Sequence, residues 1–181
     1  RQMCIRDSYD SAGIAVYNGS DIKITKTKGK VSDLEQKIAA HTNIGGTLGI
    51  GHTRWATHGA PCDLNSHPHQ SNSGDLVIIH NGIIENYAAI KKELANRGYS
   101  FYSETDTEVL VNLIEAVQKS GDYKLGKAVQ IALNQVVGAY AIAVFDLKKP
   151  YLGFCLGCQL LGEVVGGKVV KSQPAEIGIM A

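Results

Sequence analysis

The chain has 181 residues, 44% hydrophobic and 19% charged, with a formal net charge of +1. This is enough for one domain with its own core, and the balanced charge leaves no field that would draw nucleic acid or a membrane surface. No run reaches the roughly 18 apolar residues of a bilayer span, no basic-then-apolar leader opens the chain, and Cys4, Cys62, Cys155 and Cys158 are too scattered for a disulfide framework. The cytosol is the expected compartment.

The first elements follow an alternating pattern. "GIAVY", the turn "NGS" and the period-two run "DIKITKTKG" predict a β-hairpin. "SDLEQKIAAHT" predicts a short helix capped by Ser32 or Asp33, and "GTLGIGHTRWAT" a strand entering a loop near Trp55. "LVIIH" reads as a buried strand, and the following Asn-Gly as a turn. "ENYAAIKKELANRG" predicts an amphipathic helix closed by Gly98. "SETDTEVLVNLIEAVQKSG" opens with capping-box patterns and continues as a helix. "LGKAVQIALNQVV" predicts another helix and "GAYAIAVFD" another buried strand. After Pro150 the chain reads as strand, tight turn and helix. The order predicts an α+β fold with antiparallel sheets.

Residues 51–70, "GHTRWATHGAPCDLNSHPHQ", hold four of the six histidines and the single tryptophan. One reading is a metal site. His67 and His69 would share a side of an extended segment, with His52, His58 and His80 as further ligands, but no helical histidine pair or cysteine cluster has ligand spacing. The other reading is a small-molecule pocket. Arg54 offers a planar fork for a carboxylate, Trp55 a cover, and Thr57 and His58 hydrogen-bonding groups. Asn81 beside Gly82 pairs a side-chain amide with an approachable backbone N–H, the equipment of an oxyanion hole. Asp106 would receive an ammonium group. Together these describe a free amino acid with a reactive side-chain amide. Each residue alone also has a plainer reading: a turn for Asn81-Gly82, a helix start for Asp106, a structural ion pair for Arg54.

"YDSAGIAVY", "HTRWATHG", "NSHPH", "HNGIIENY", "SETDTEV" and "GAYAIAVFD", in this order, resemble the glutaminase domains of the class II glutamine amidotransferases, in the form found in glucosamine-6-phosphate synthases. The resemblance runs from about Tyr9 to Leu147. It implies a four-layer αββα sandwich of the N-terminal-nucleophile hydrolase type, here truncated at both ends. It implies hydrolysis of L-glutamine, with ammonia passed to a fused sugar-phosphate isomerase domain for amino-sugar synthesis, in a homo-oligomeric enzyme with no cofactor. Carried over, Arg54, Trp55, Thr57 and His58 form the glutamine loop, Asn81 and Gly82 the oxyanion hole, and Asp106 the amino-group site.

The family's nucleophile is an N-terminal cysteine whose free amine handles the proton. Met3-Cys4-Ile5 imitates that start without the following glycine, strand and helix, so Cys4 is expected to be a decoy and residues 1–8 an artefactual leader. Residues 153–157, "GFCLG", resemble the nucleophile elbow of the unrelated class I amidotransferases, with Cys155 as its thiol. No histidine follows Cys155 to complete that family's triad. Residues 9–148 are therefore expected to be a partial class II domain, and 149–181 a foreign class I-like fragment. The rival expectations are a glutamine-binding module without catalysis and the glutaminase half of another class II enzyme.

Overall fold

In a computed structural model of the chain, residues 9–40, 44–46, 48–56, 58–148 and 152–154 are described. The hairpin folds as it reads. β1 (Ser11–Tyr17) and β2 (Ile22–Lys28) pair antiparallel, and β3 (Leu48–Arg54) pairs with the other edge of β1, giving the order β2-β1-β3. Asn18 Oδ1 accepts the N–H groups of Ser20 and Asp21 at 3.0 and 2.8 Å and so shapes the turn. A second antiparallel sheet has the order β4-β5-β6-β7, from His69–Gln70, Leu76–Ile84, Gly138–Asp146 and Leu152–Phe154.

Period-two alternation decides what lies between the layers. Val77 and Phe145 point inward from the second sheet and meet Ala15 and Ile50 of the first, with Tyr17, Ile24 and Ile79 around them. Burying a side chain such as Phe145 stabilises the fold by about 1.5–3 kcal/mol. The other face, with Leu76, Ile78, Ile142 and Val144, packs against helices α2 (Tyr87–Asn96), α3 (Asp106–Gly121) and α4 (Leu125–Leu133). On the far side, α1 (Val31–Ala40) lies against β1 and β2 and buries Leu34. The layers are therefore helix, sheet, sheet, helices, the αββα order expected from the motifs.

Two local expectations are corrected. Asn81-Gly82 is not a turn. β5 runs straight through it, pairing Asn81 with Ala141 and Gly82 with Tyr140. Gly82 has φ +129°, and a Cβ there would lie 2.2 Å from Ala139 O, so the glycine answers a close approach between strands and reverses nothing. The first helix begins at Val31, so Ser32 and Asp33 lie in its first turn instead of capping it. Asp33 Oδ2 reaches back to accept the Lys30 N–H at 2.7 Å, which satisfies a donor that precedes the helix. The Gly98 stop holds: φ is +89°, and Tyr99 N–H returns to Leu94 O at 3.1 Å. At the start of α3, Thr105 is the cap and accepts the Glu108 N–H at 3.3 Å, while Glu108 accepts from Ser103 N–H at 2.7 Å. Cys4, Thr57, Cys155, the leader 1–8 and the helix expected in the tail lie outside the described residues.

Candidate functional site

The inner face of β3 changes chemistry halfway along. Leu48 and Ile50 belong to the apolar centre of the sandwich, and the same parity carries His52 and Arg54 into its far end. Gly13 pairs with His52 across the sheet, and any Cβ on it would sit 2.1 Å from His67 O. This bare spot on β1 lets the segment carrying His67 and His69 enter between the sheets.

On the facing sheet, alternate residues of β5 direct their N–H groups toward β4, which pairs only with Val77 and Ile78. Beyond it, side chains take over. His80 N–H donates to His67 Nδ1 at 3.2 Å, and Ile84 N–H to Asp106 Oδ2 at 2.9 Å. By the same alternation the Gly82 N–H faces this edge, beyond the end of β4.

A cavity of about 230 Å³ opens at this edge. Arg54, Trp55, Asn81, Gly82, Ile83 and Asp106 line it together with His52, His67, His80, Thr105 and Thr107. Four residues expected to hold one ligand, Arg54, Asn81, Gly82 and Asp106, thus share one opening, with Trp55 as a fifth. Trp55 is 67% exposed and edge-on to Tyr9. His58 stands beside the cavity against the Tyr87 ring, its Nδ1 4.0 Å from Asp106 Oδ2. Thr57 is outside the described residues.

Arg54 is buried, and its Nη2 is anchored on the His58 and Gly59 carbonyls rather than on an acidic residue. Its Nη1 has no partner among the described residues. His52 Nδ1 and His80 Nε2 are likewise buried without partners among those residues. Folded interiors pair nearly all such atoms, and each orphan costs about 1–3 kcal/mol. Three such atoms, on Arg54, His52 and His80, gather around one cavity.

His52, His67 and His80 stack between the layers, with His69 edge-on to His67. Ring centroids are 4.5 Å apart for His52–His67 and 5.1 Å for His67–His69. Burial holds His52 down to about 4, helped by the charge it would meet at His80 and Arg54. His67 and His69 lie well below the ordinary histidine range, again chiefly through burial. Burial also lowers His80, although Asp106 opposes the shift. At neutral pH the stack is uncharged. No group of three or more His, Cys, Asp or Glu side chains is arranged to hold a metal among the described residues. The described free thiol, Cys62, does not line the cavity.

Sequence reasoning missed Thr105, Thr107 and the role of the histidines as the cavity floor. The period-two run Leu48, Ile50, His52, Arg54 was the available signal for His52. For Thr107 there was none beyond its place in "SETDTE".

Residues 33–154 match the family described as glutamine amidotransferase domain, and residues 136–179 match glutamine amidotransferase class-I, the two overlapping over 136–154. The chain is 49% identical over 172 residues to a glutamine–fructose-6-phosphate aminotransferase (isomerizing) of Bacteroides thetaiotaomicron, covering 94% of this chain and 26% of that protein. It is 54% identical over 146 residues to the protein of the same name from Chlorobaculum tepidum, covering 78% and 24%. The chain thus spans about a quarter of the length of these relatives. Among solved structures, a glutamine phosphoribosylpyrophosphate amidotransferase from B. subtilis, complexed with ADP and GMP, superposes with a TM-score of 0.63 at 30% identity. It covers 77% of this chain and 30% of that one. The fold is that of the N-terminal-nucleophile amidotransferases.

Proposed function

From the premise that this chain belongs to the glutamine amidotransferase domain family, we propose that its cavity binds L-glutamine and that its chemistry is hydrolysis of the side-chain amide. The ligand's carboxylate meets the free Nη1 of Arg54. Its ammonium meets Asp106 Oδ1, since Oδ2 is occupied by the Ile84 N–H. The amide oxygen lies against the Gly82 N–H and the Asn81 side chain, donors placed where negative charge develops. A thiolate attacks the amide carbon, ammonia leaves, and water hydrolyses the resulting thioester to glutamate. Trp55 and His58 flank the ligand. The observation that carries this reading is the convergence of Arg54, Gly82 and Asp106 on one cavity.

By likeness to the relatives named above, the ammonia would serve the conversion of fructose 6-phosphate to glucosamine 6-phosphate. A fused sugar-phosphate isomerase domain would receive it, in a cytosolic homo-oligomer. Residues 9–148 are the class II unit in this proposal, and residues 149–181 a class I-like piece, the latter supported by the class-I match. A second reading, a glutamine-binding module without catalysis, is favoured by one observation: none of the described residues lining the cavity is a cysteine. A glutamine-like diazo-ketone separates the readings by mass spectrometry. An adduct on Cys4 supports catalysis, and one on Cys155 supports a working class I elbow. Calorimetric glutamine binding without any adduct supports the binding module. Neither binding nor adduct overturns the proposal.

A further inference from the structure

Thr107 stands where three acceptors and donors compete for one proton. Its hydroxyl is 2.9 Å from His80 Nδ1, 3.3 Å from His67 Nε2 and 3.4 Å from Asp106 Oδ1. The protonation of this group follows from a backbone donor. His80 N–H donates to His67 Nδ1, so that nitrogen carries no hydrogen. His67 is buried and neutral, so its one ring proton sits on Nε2 and is donated to Thr107 Oγ1. The Thr107 hydroxyl then has a single proton to give. The 2.9 Å contact to His80 Nδ1 takes it in preference to the 3.4 Å contact to Asp106. His80 is therefore the Nε2–H tautomer, and its Nδ1 has no hydrogen to offer Asp106 Oδ1, 3.9 Å away.

We propose that Thr107 is a positioning residue for ligand selectivity: by fixing the tautomer of His80 it withholds a competing N–H from Asp106 Oδ1, leaving that oxygen for an ammonium group of the ligand. Without the hydroxyl, His80 Nδ1 and His67 Nε2 would both lose their partner. His80 would move its proton to Nδ1 and turn it on the nearest acceptor, Asp106 Oδ1. The carboxylate would then be satisfied from inside the protein, as it already is at Oδ2. The other groups facing Asp106 leave Oδ1 to this choice. His58 Nδ1 stands 4.0 Å from Oδ2, and Arg54 contributes only a longer-range attraction.

This inference rests on glutamine as the ligand, and the test separates the two. Long-range ¹⁵N–¹H spectra of the full chain report the His80 tautomer without any ligand. The wild type is expected as Nε2–H, Thr107→Val as Nδ1–H, and Thr107→Ser as the wild type. Calorimetry then compares L-glutamine with the same molecule lacking its amino group. Thr107→Val is expected to weaken glutamine about tenfold or more while leaving the deamino compound unchanged, because only the charge-assisted contact is lost. Thr107→Ser retains the preference. A wild-type His80 protonated on Nδ1, or equal weakening of both ligands by Thr107→Val, overturns the role of Thr107. If the wild type binds neither compound, the glutamine reading fails and this inference with it, whatever the spectra report of the tautomer.

Discussion

Acidification works against this fold through its buried histidines. His52 protonates in the folded chain only at about 4, and in an unfolded chain at about 6.5. Its folded value is depressed, so its contribution is fully present above about 6.5 and drains away as pH falls toward 4. In that window the unfolded ensemble binds a proton that the folded chain refuses. The cost is about 1.4 kcal/mol per pH unit, or about 2 kcal/mol at pH 5 relative to pH 7. His67, His69 and His80 are shifted in the same direction by the same burial and add to the same sign. A domain's whole stability is typically about 5–15 kcal/mol, so the four together threaten the fold between pH 7 and 5. Urea unfolding followed by circular dichroism across this range measures the slope. His52→Phe keeps a ring stacked on His67 and is expected to remove about 2 kcal/mol of the pH dependence. A stability that stays level from pH 7 to 5, or a His52→Phe variant with undiminished acid sensitivity, would refute the reasoning.

The remaining expectations concern single positions. Arg54→Ala is expected to remove about 1.5–3 kcal/mol of glutamine affinity, roughly 10- to 150-fold by calorimetry; unchanged binding would dismiss Arg54 from the site. Gly13→Ala drives a methyl into His67 O and is expected to cost about 1–3 kcal/mol or more, read as a lower thermal midpoint with weakened ligand binding. A variant as stable as the parent would show that the His67 segment does not pack on β1.

Much of this architecture was written locally. The hairpin showed itself through alternation and a turn dipeptide, and "GAYAIAVFD" is β6 residue for residue. The third helix announced its start through Thr105 and Glu108, whose side chains do the capping. Asn81-Gly82 misled because its dipeptide preference is the same in a turn and in a strand that needs a close neighbour. What decided was Ala139 on β6, some sixty residues away. The pocket residues Arg54, Asn81, Gly82 and Asp106 were legible as a set because one small molecule explained all four. The histidine stack was not. Which ring meets which depends on how β3 and β5 face each other across the sandwich, and no window of sequence holds both strands. β4 is two residues long and carries no periodicity to read.

That shortness of β4 has its own consequence. Had it continued alongside β5 for six more residues, the backbone donors there would have met carbonyls from the neighbouring strand, and the sheet would be more regular. The ladder stops early, and a histidine and an aspartate stand where carbonyl partners would have been. This edge is a place of unfinished hydrogen bonding, and a substitution that lengthened the ladder would fill the cavity while making the sheet more regular.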